Sequence, residues 1–310
     1  MSRSPGNHVL KGRLVICDED HLEFEALIGE AAICSTDDPG VVADAEILLA
    51  SPRLAARAFH RMPSLRWIQS TWAGVDALVG AGIPESVTVT GVKGVFGVPM
   101  REFVFGHLLA HTQRIVDRAA ARSWDYTPPA RLEGSRLGIL GTGSIGSELA
   151  RTGKGLGLEV VGCSRSGALV DGFDTVFAVG DRFEFAADLD HLVCVLPGTP
   201  ETAAIVDEAL LGCLRPGATF INAGRGVNAD LVAVTKALAS GRLSLAVLDV
   251  LPVEPLPDGD PLWQVPGLIV TSHTAAWSRP SDIARVFVEN LGRWRAGRPF
   301  GGVIDLERGY

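Results

Sequence analysis

Three side chains of chemically capable types each follow a strand-like run in the second half of the chain. Arg225 lies in Asn222-Ala223-Gly224-Arg225-Gly226, Glu254 in Asp249-Val250-Leu251-Pro252-Val253-Glu254-Pro255, and His273 in Ser272-His273-Thr274-Ala275-Ala276. In a doubly wound sheet the carboxyl ends of the strands face the ligand crevice. An arginine there can grip a carboxylate through two parallel charge-assisted bonds, which lysine, lacking the planar fork, does less well. A carboxylate beside a histidine stabilises the imidazolium, and such a histidine can donate a proton near neutral pH. Taken singly, Arg225 reads as well as a surface residue on a turn, and His273 as a structural histidine. Their convergence on one crevice favours a catalytic set.

A phosphate-binding element precedes them. The apolar run Leu137–Leu140 reads as a buried strand, Gly141-Thr142-Gly143-Ser144-Ile145-Gly146 as a turn, and Ser144 to about Leu156 as a helix. In this order Gly141 permits the tight turn, Gly143 lets backbone approach a pyrophosphate, and Gly146 lets helix pack on strand. The first helical residues, Ser144 and Ile145, present unpaired N–H groups and the positive dipole end. A glycine-rich turn of any α/β protein is the alternative, and the strand–turn–helix context favours a dinucleotide. The next strand, Leu158–Cys163, is followed by Ser164, Arg165 and Ser166. Sites that prefer NAD place an acid there for the ribose hydroxyl, yet the first acid is Asp171. An arginine between two hydroxyls suits a 2′-phosphate, the alternative being an incidental arginine on a solvated turn. NADP (as NADPH) is therefore expected as the preferred cofactor, with NAD second.

These residues need scaffolding, and the pattern supplies it. The first hundred residues alternate candidate strands (Leu14–Cys17, Ala45–Ala50, Leu65–Gln69, Val87–Val92) with candidate helices (His21–Gly29, Arg53–Arg61), which predicts a parallel sheet. A long amphipathic helix is expected from near Val98 toward Ala121, broken by the loop Trp124–Ala130. Later strands fit Leu192–Leu196, Thr219–Asn222, Leu245–Asp249 and Leu268–Thr271, and a final helix runs from about Ser281 to Arg295. The glycine motif comes almost midway, so one complete α/β unit precedes the cofactor domain. If the last helix packs back on that unit, the first domain is discontinuous.

The bulk properties narrow the classes. At 310 residues with 47% hydrophobic residues the chain has material for two domains with real cores. A net charge of −8 argues against generic nucleic-acid binding and against a polybasic membrane patch. No run approaches the roughly 18 apolar residues of a membrane span. The amino terminus, Met1 to His8, has no apolar core of a signal peptide, so a cytoplasmic location is expected. Cys17, Cys34, Cys163, Cys194 and Cys213 are scattered and odd in number, as free thiols in a reducing compartment would be. His107 and His111 share a helical face without the Glu of a zinc motif, so no metal is expected. Asp18-Glu19-Asp20 and Asp37-Asp38 read as solvated turn charges.

Together, Gly141–Gly146, Asn222–Gly226, Asp249–Pro255 and Ser272–Ala276 resemble, in order and spacing, the D-isomer-specific 2-hydroxyacid dehydrogenases. Ser164-Arg165-Ser166 makes the chain most similar to the NADP-preferring glyoxylate/hydroxypyruvate reductase branch. The resemblance implies an α/β protein of two Rossmann-like, flavodoxin-like parallel-sheet domains around a cleft. The substrate-binding domain would be residues 1–98 with 283–310, and the dinucleotide-binding domain residues 99–282. It implies that Arg225 binds the carboxylate and carbonyl of a small 2-oxoacid, that His273 is general acid in reduction and general base in oxidation, and that Glu254 pairs with His273. Asp249 would meet the nicotinamide carboxamide, with Leu196, Pro197 and Ala223 also on the cofactor. Ala73, Gly74 and Val75 match the loop whose backbone holds the carboxylate, with Trp72 beside it. A homodimer using the helix from Met100 is implied as well.

Departures from the family pattern are Ser272 in place of proline and Gly91 near the place of an asparagine. Trp72, Phe96, Met100 and Trp277 either select a side chain on the 2-oxoacid or pack the interior. Two other readings stay open. One is an NAD-dependent enzyme similar to D-3-phosphoglycerate dehydrogenase, with Lys93 and Arg101 meeting a phosphate, although Trp72 and Phe96 argue for a less charged guest. The other is a cofactor-sensing binding protein similar to the corepressors that share this fold.

Overall fold

The computed structural model describes residues 13–30, 32–37 and 39–309. The amino-terminal segment read for targeting, and Asp38, lie outside them. The described chain divides into two units, one comprising the residues up to Val95 together with those from Ser278 onward, the other Phe96–Trp277.

The first unit is a parallel sheet of β1 (Arg13–Cys17), β2 (Ala32–Ser35), β3 (Ala45–Ala50), β4 (Trp67–Ser70) and β5 (Thr88–Thr90) in the order β2-β1-β3-β4-β5. Crossovers include α1 (His21–Ile28), ended by Gly29 at φ +69°, and α2 (Pro52–Ala58), which opens on a proline whose missing N–H costs nothing there. The carboxyl-terminal helix, Pro280–Arg295, belongs to this unit. Its Phe287 stacks on Trp67 at 5.1 Å between ring centroids, and Asn290 Nδ2 donates to Gln69 Oε1 at 3.1 Å. These contacts bring the end of the chain back, so the first domain is discontinuous. Gly91 lies against the same returning segment. A Cβ there would stand 2.9 Å from Ile304 Cδ1, and its N–H donates to Gly302 O at 2.9 Å.

One expectation fails here. Asp18 is not a solvated turn charge beside Glu19 and Asp20. It is only 7% exposed, because the chain carries straight on from β1 into the sheet edge while its two neighbours turn out to solvent.

The second unit holds α3 (Gly97–Thr112), α4 (Ile115–Ala120), β6 (Arg136–Leu140), α5 (Ser144–Gly155), β7 (Glu159–Ser164), β8 (Thr175–Ala178), α6 (Arg182–Ala186), β9 (His191–Cys194), α7 (Glu208–Cys213), β10 (Ala218–Asn222), α8 (Leu231–Ala239), β11 (Leu243–Leu248) and β12 (Leu268–Val270). The sheet is parallel in the order β12-β11-β10-β9-β6-β7-β8, so the chain reverses direction at β6 and β9. Alternate strand residues serve opposite faces. Leu137, Ile139, Val193 and Val247 pack with Val104, Leu108 and Leu149 of α3 and α5. Leu140, Leu192, Phe220 and Leu248 pack on the other face with Phe185, Leu210 and Val234 of α6, α7 and α8. The single long helix expected from Val98 to Ala121 is instead two. It ends at Thr112, and Arg114 takes a left-handed φ of +53° before α4 begins. Strands β2 and β8 were not foreseen, being short and only partly buried.

Candidate active site

All of the expected cofactor and catalytic residues of the second unit stand at or just beyond the carboxyl ends of its strands. The turn after β6 shows three glycines with three different reasons. Gly141 has φ +104°, and a Cβ on it would be 3.2 Å from Val195 O. A Cβ on Gly146 would be 1.9 Å from Gly141 O, so only glycine lets α5 start this close to the strand. At Gly143 a Cβ would meet nothing within 4 Å, which leaves room over the start of α5. No side chain caps that helix start. The cradle therefore fits a pyrophosphate on the N–H groups of Ser144 and Ile145, while the Ile145 side chain packs on the core.

After β7, Ser164 Oγ accepts from Gly167 N–H at 3.2 Å and Ser166 Oγ from Ala168 N–H at 3.3 Å. The two hydroxyls thus hold the turn while Arg165 is exposed. Leu196 and Pro197 follow β9. Pro197 O accepts from Thr202 Oγ1 at 2.7 Å and from Asn228 Nδ2 at 3.1 Å. Ala223 N–H donates to Cys194 O at 3.0 Å.

Asn222, which is fully buried, shapes the arginine loop. Its Nδ2 donates to Arg225 O at 3.0 Å, and its Oδ1 accepts from Gly224 N–H at 3.2 Å. Asn228 Oδ1 accepts from Arg225 N–H at 2.8 Å. A Cβ on Gly226 would be 1.9 Å from the carbonyl carbon of Leu251, so the arginine loop is pressed against the loop that carries Glu254. The Arg225 guanidinium is partly exposed and donates from Nη1 to Gly224 O at 2.7 Å.

Glu254 and His273 meet. Glu254 Oε1 accepts from Leu251 N–H at 2.8 Å, and its Oε2 lies 2.9 Å from His273 Nδ1. The carboxylate therefore accepts a hydrogen bond from Nδ1–H and leaves Nε2 as the working nitrogen. The imidazole is half exposed, at 51% of its side-chain surface, so a substrate can reach it. His273 has φ +56°, a left-handed conformation that a non-glycine residue keeps only when its surroundings enforce it.

Asp249 supplies that enforcement, a role the sequence did not disclose. It is 2% exposed. Its Oδ1 accepts from Thr271 Oγ1 at 2.5 Å and from Thr274 N–H at 2.8 Å, its Oδ2 from Ala275 N–H at 3.0 Å, and its carbonyl from His273 N–H at 2.8 Å. The expected partner of the nicotinamide is thus first the clamp of the histidine loop.

Other expectations divide. Phe96 and Met100 are buried, Met100 within a core cluster. Trp277 is 70% exposed and Trp72, in the first unit, 51%. Ala73 and Gly74 follow Trp72 at the surface, and Val75 turns inward. Arg101 Nη1 is 2.6 Å from Glu148 Oε1, an ion pair that removes it as a ready phosphate ligand. His107 Nδ1 bonds Phe103 O and His111 Nε2 bonds Ser244 Oγ, so each ring is held within its own surroundings. A cavity of about 460 Å³ exists at the opposite, amino end of the strands, lined by His111, His191, Asp190 and Arg215 among others. None of the cofactor or catalytic candidates described above lines it.

A strand–glycine turn–helix, an arginine after β10 and a carboxylate–histidine pair in the loops after the last two strands define a nicotinamide-dependent dehydrogenase. Residues 105–275 match the family model "D-isomer specific 2-hydroxyacid dehydrogenase, NAD binding domain". A glyoxylate/hydroxypyruvate reductase A of Escherichia fergusonii is 33% identical over 80% of this chain and 82% of its own. The crystal structure of a D-isomer specific 2-hydroxyacid dehydrogenase family protein from Aeromonas salmonicida is 38% identical, covering 96% of this chain and all of that one, with a TM-score of 0.86. A D-isomer specific 2-hydroxyacid dehydrogenase from Xanthobacter autotrophicus, solved with NADPH and MES, is 31% identical over 97% of this chain and all of that one, with a TM-score of 0.88. The chain belongs to the D-isomer specific 2-hydroxyacid dehydrogenase family, on the side of the glyoxylate/hydroxypyruvate reductases.

Proposed function

We propose that the protein is an NADP-preferring reductase of small 2-oxoacids, working through His273 as general acid. The observation that carries this reading is the 2.9 Å pairing of Glu254 with His273 Nδ1 at the strand ends that also bear Arg225. Gly141, Gly143, Ser144, Ile145 and Gly146 would hold the pyrophosphate, Leu196, Pro197 and Ala223 would line the cofactor, and Arg165 would meet a 2′-phosphate. Three of the acceptor positions of Asp249 are taken. A carboxylate has about four, which leaves one for a carboxamide. When bound, the dihydronicotinamide supplies the hydride.

The protein's own residues do the rest. Arg225 binds the carboxylate and polarises the carbonyl, a preorganised cation where negative charge develops. The N–H groups of the Ala73–Val75 loop take the carboxylate, with Trp72 beside it. His273 delivers the Nε2 proton to the carbonyl oxygen, and Glu254 holds the ring in place through Nδ1. In the oxidative direction the same nitrogen takes the proton back.

Exposed apolar side chains at Ile115, Val116, Trp124 and Tyr126 support a homodimer. Among the described residues no helix is long and apolar enough to cross a membrane, which is compatible with the cytoplasmic location proposed here. Initial rates of NADPH and NADH oxidation with glyoxylate, hydroxypyruvate, pyruvate, phenylpyruvate and 3-phosphohydroxypyruvate test the reading. Turnover of an unphosphorylated 2-oxoacid with NADPH preferred is the expected result. Preference for 3-phosphohydroxypyruvate with NADH would overturn it.

A further inference from the structure

The buried carboxylate of Asp18 belongs to no step described above. It lies at the carboxyl end of β1, two strands away from the end of β4. Its Oδ2 accepts from Thr71 Oγ1 at 2.9 Å, and its Oδ1 from Asp20 N–H at 3.2 Å. Thr71 is itself 1% exposed and is tied at the backbone too, through its N–H to Ala50 O at 3.1 Å. The neighbouring Ser70 Oγ accepts from Trp72 N–H at 3.1 Å and donates to Trp72 O at 2.9 Å.

Burial pushes the Asp18 carboxyl above its ordinary range, against the pull of the Asp20 N–H and the Thr71 hydroxyl and with the help of the Asp20 and Glu19 charges. Among the described residues no ion pair reaches this carboxylate, and a carboxylate kept dry without a cation beside it costs stability. It is the kind of feature retained where a segment has to be held in one path. The segment it holds is the entry to Trp72-Ala73-Gly74-Val75.

We propose that Asp18 is a positioning residue for 2-oxoacid binding, acting through the Thr71 hydroxyl to fix the loop whose backbone N–H groups receive the substrate carboxylate. The proposal rests on the reading of that loop given under the proposed function. A hydrogen-bond acceptor of fixed position, buried on one side of Thr71, sets where the next three residues leave the sheet. A misplacement of about 1 Å in such a loop is enough to weaken a two-point carboxylate contact.

The test compares Thr71→Val, Thr71→Ser, Asp18→Ala and the double variant Asp18→Ala/Thr71→Val in steady-state kinetics with glyoxylate and NADPH. Loss of one such bond corresponds to a rise in KM of about tenfold in Thr71→Val and Asp18→Ala, with kcat and NADPH affinity within about twofold of wild type. Thr71→Ser, which keeps the hydroxyl, should restore the wild-type KM. The double variant should be no worse than Asp18→Ala, because that change already breaks the Asp18–Thr71 contact. Thr71→Val is close in shape to the native residue and stands alone if Asp18→Ala does not fold. An unchanged KM in Thr71→Val overturns the proposal. So does a fall in kcat, NADPH affinity and Tm together, which marks a merely structural residue. Absence of turnover by the wild type with every 2-oxoacid is a different outcome, which overturns the parent reading and this proposal with it.

Discussion

Two of the histidines of the second unit stand at opposite ends of one sheet, in opposite environments. His191 opens β9 and is 6% exposed. Ser135 Oγ donates to Leu132 O at 2.6 Å, so it accepts from His191 Nε2–H at 3.1 Å, and Nδ1 in turn accepts from the Thr219 hydroxyl at 2.8 Å. One donor and one acceptor satisfy a neutral imidazole and have no place for a second proton. Burial pushes its pKa down to about 4, with Asp190 opposing and His111 assisting. His273 is half exposed and bonds a carboxylate instead of hydroxyls. The comparison teaches that histidine chemistry is decided by the charge of the partner and by access, and that a strand end supplies either environment according to the loop that follows it.

Breaking the partner should have the largest effect. Glu254→Gln keeps shape but removes the charge opposite Nδ1, and the amide can turn its NH₂ toward the ring. A fall in kcat on the order of 10²-fold is expected in steady-state kinetics with glyoxylate, with NADPH affinity unchanged, as for loss of an orienting carboxylate in acid–base catalysis. A Glu254→Gln variant with wild-type kcat would mean that the pairing is ornamental.

A smaller effect sharpens the other side of the comparison. His191 has a folded pKa below the unfolded one, so the unfolded chain binds the extra proton. The stability tied to this residue is complete above the ordinary imidazole value of 6.5 and is lost as pH falls from there toward about 4. By pH 5 the loss is about 2 kcal/mol. Urea unfolding at pH 7.5 and pH 5 should show His191→Gln losing less stability on acidification than wild type by about that amount, with kcat at pH 7.5 unaltered. Equal losses in the two proteins would remove His191 from the acid limb.

The catalytic candidates were legible in the sequence because each is a polar residue in the loop that follows an apolar strand-like run. Such a run fixes both the strand and the face of the sheet to which its end points. Gly141 and Gly146 were legible because backbone geometry admits few other residues there, as the positive φ of Gly141 and the close approach of Gly146 to Gly141 O show, whereas Gly143 was legible from the motif alone.

What was not legible depends on contacts between distant segments. The clamp of Asp249 on Thr271, Thr274 and Ala275 requires two neighbouring strands to be in register. The left-handed backbone of His273 follows from that clamp and from no local glycine. Asp18 stood in an acidic triplet that reads as solvent-facing, and its burial appears only once β4 delivers Thr71. The break at Arg114 lies within a sequence of good helix formers, Gln113-Arg114-Ile115, and carries no proline or glycine to announce it.

The proposed reduction depends on His273 delivering the proton, and replacing that residue is the direct test. His273→Ala should be assayed for NADPH oxidation with the best 2-oxoacid, with NADPH affinity measured in parallel by fluorescence titration. A general acid contributes about 10²–10⁴-fold to the rate, so kcat should fall by that range while NADPH binds as in wild type. Turnover close to wild type, or loss of NADPH binding as the main effect, would contradict the assignment.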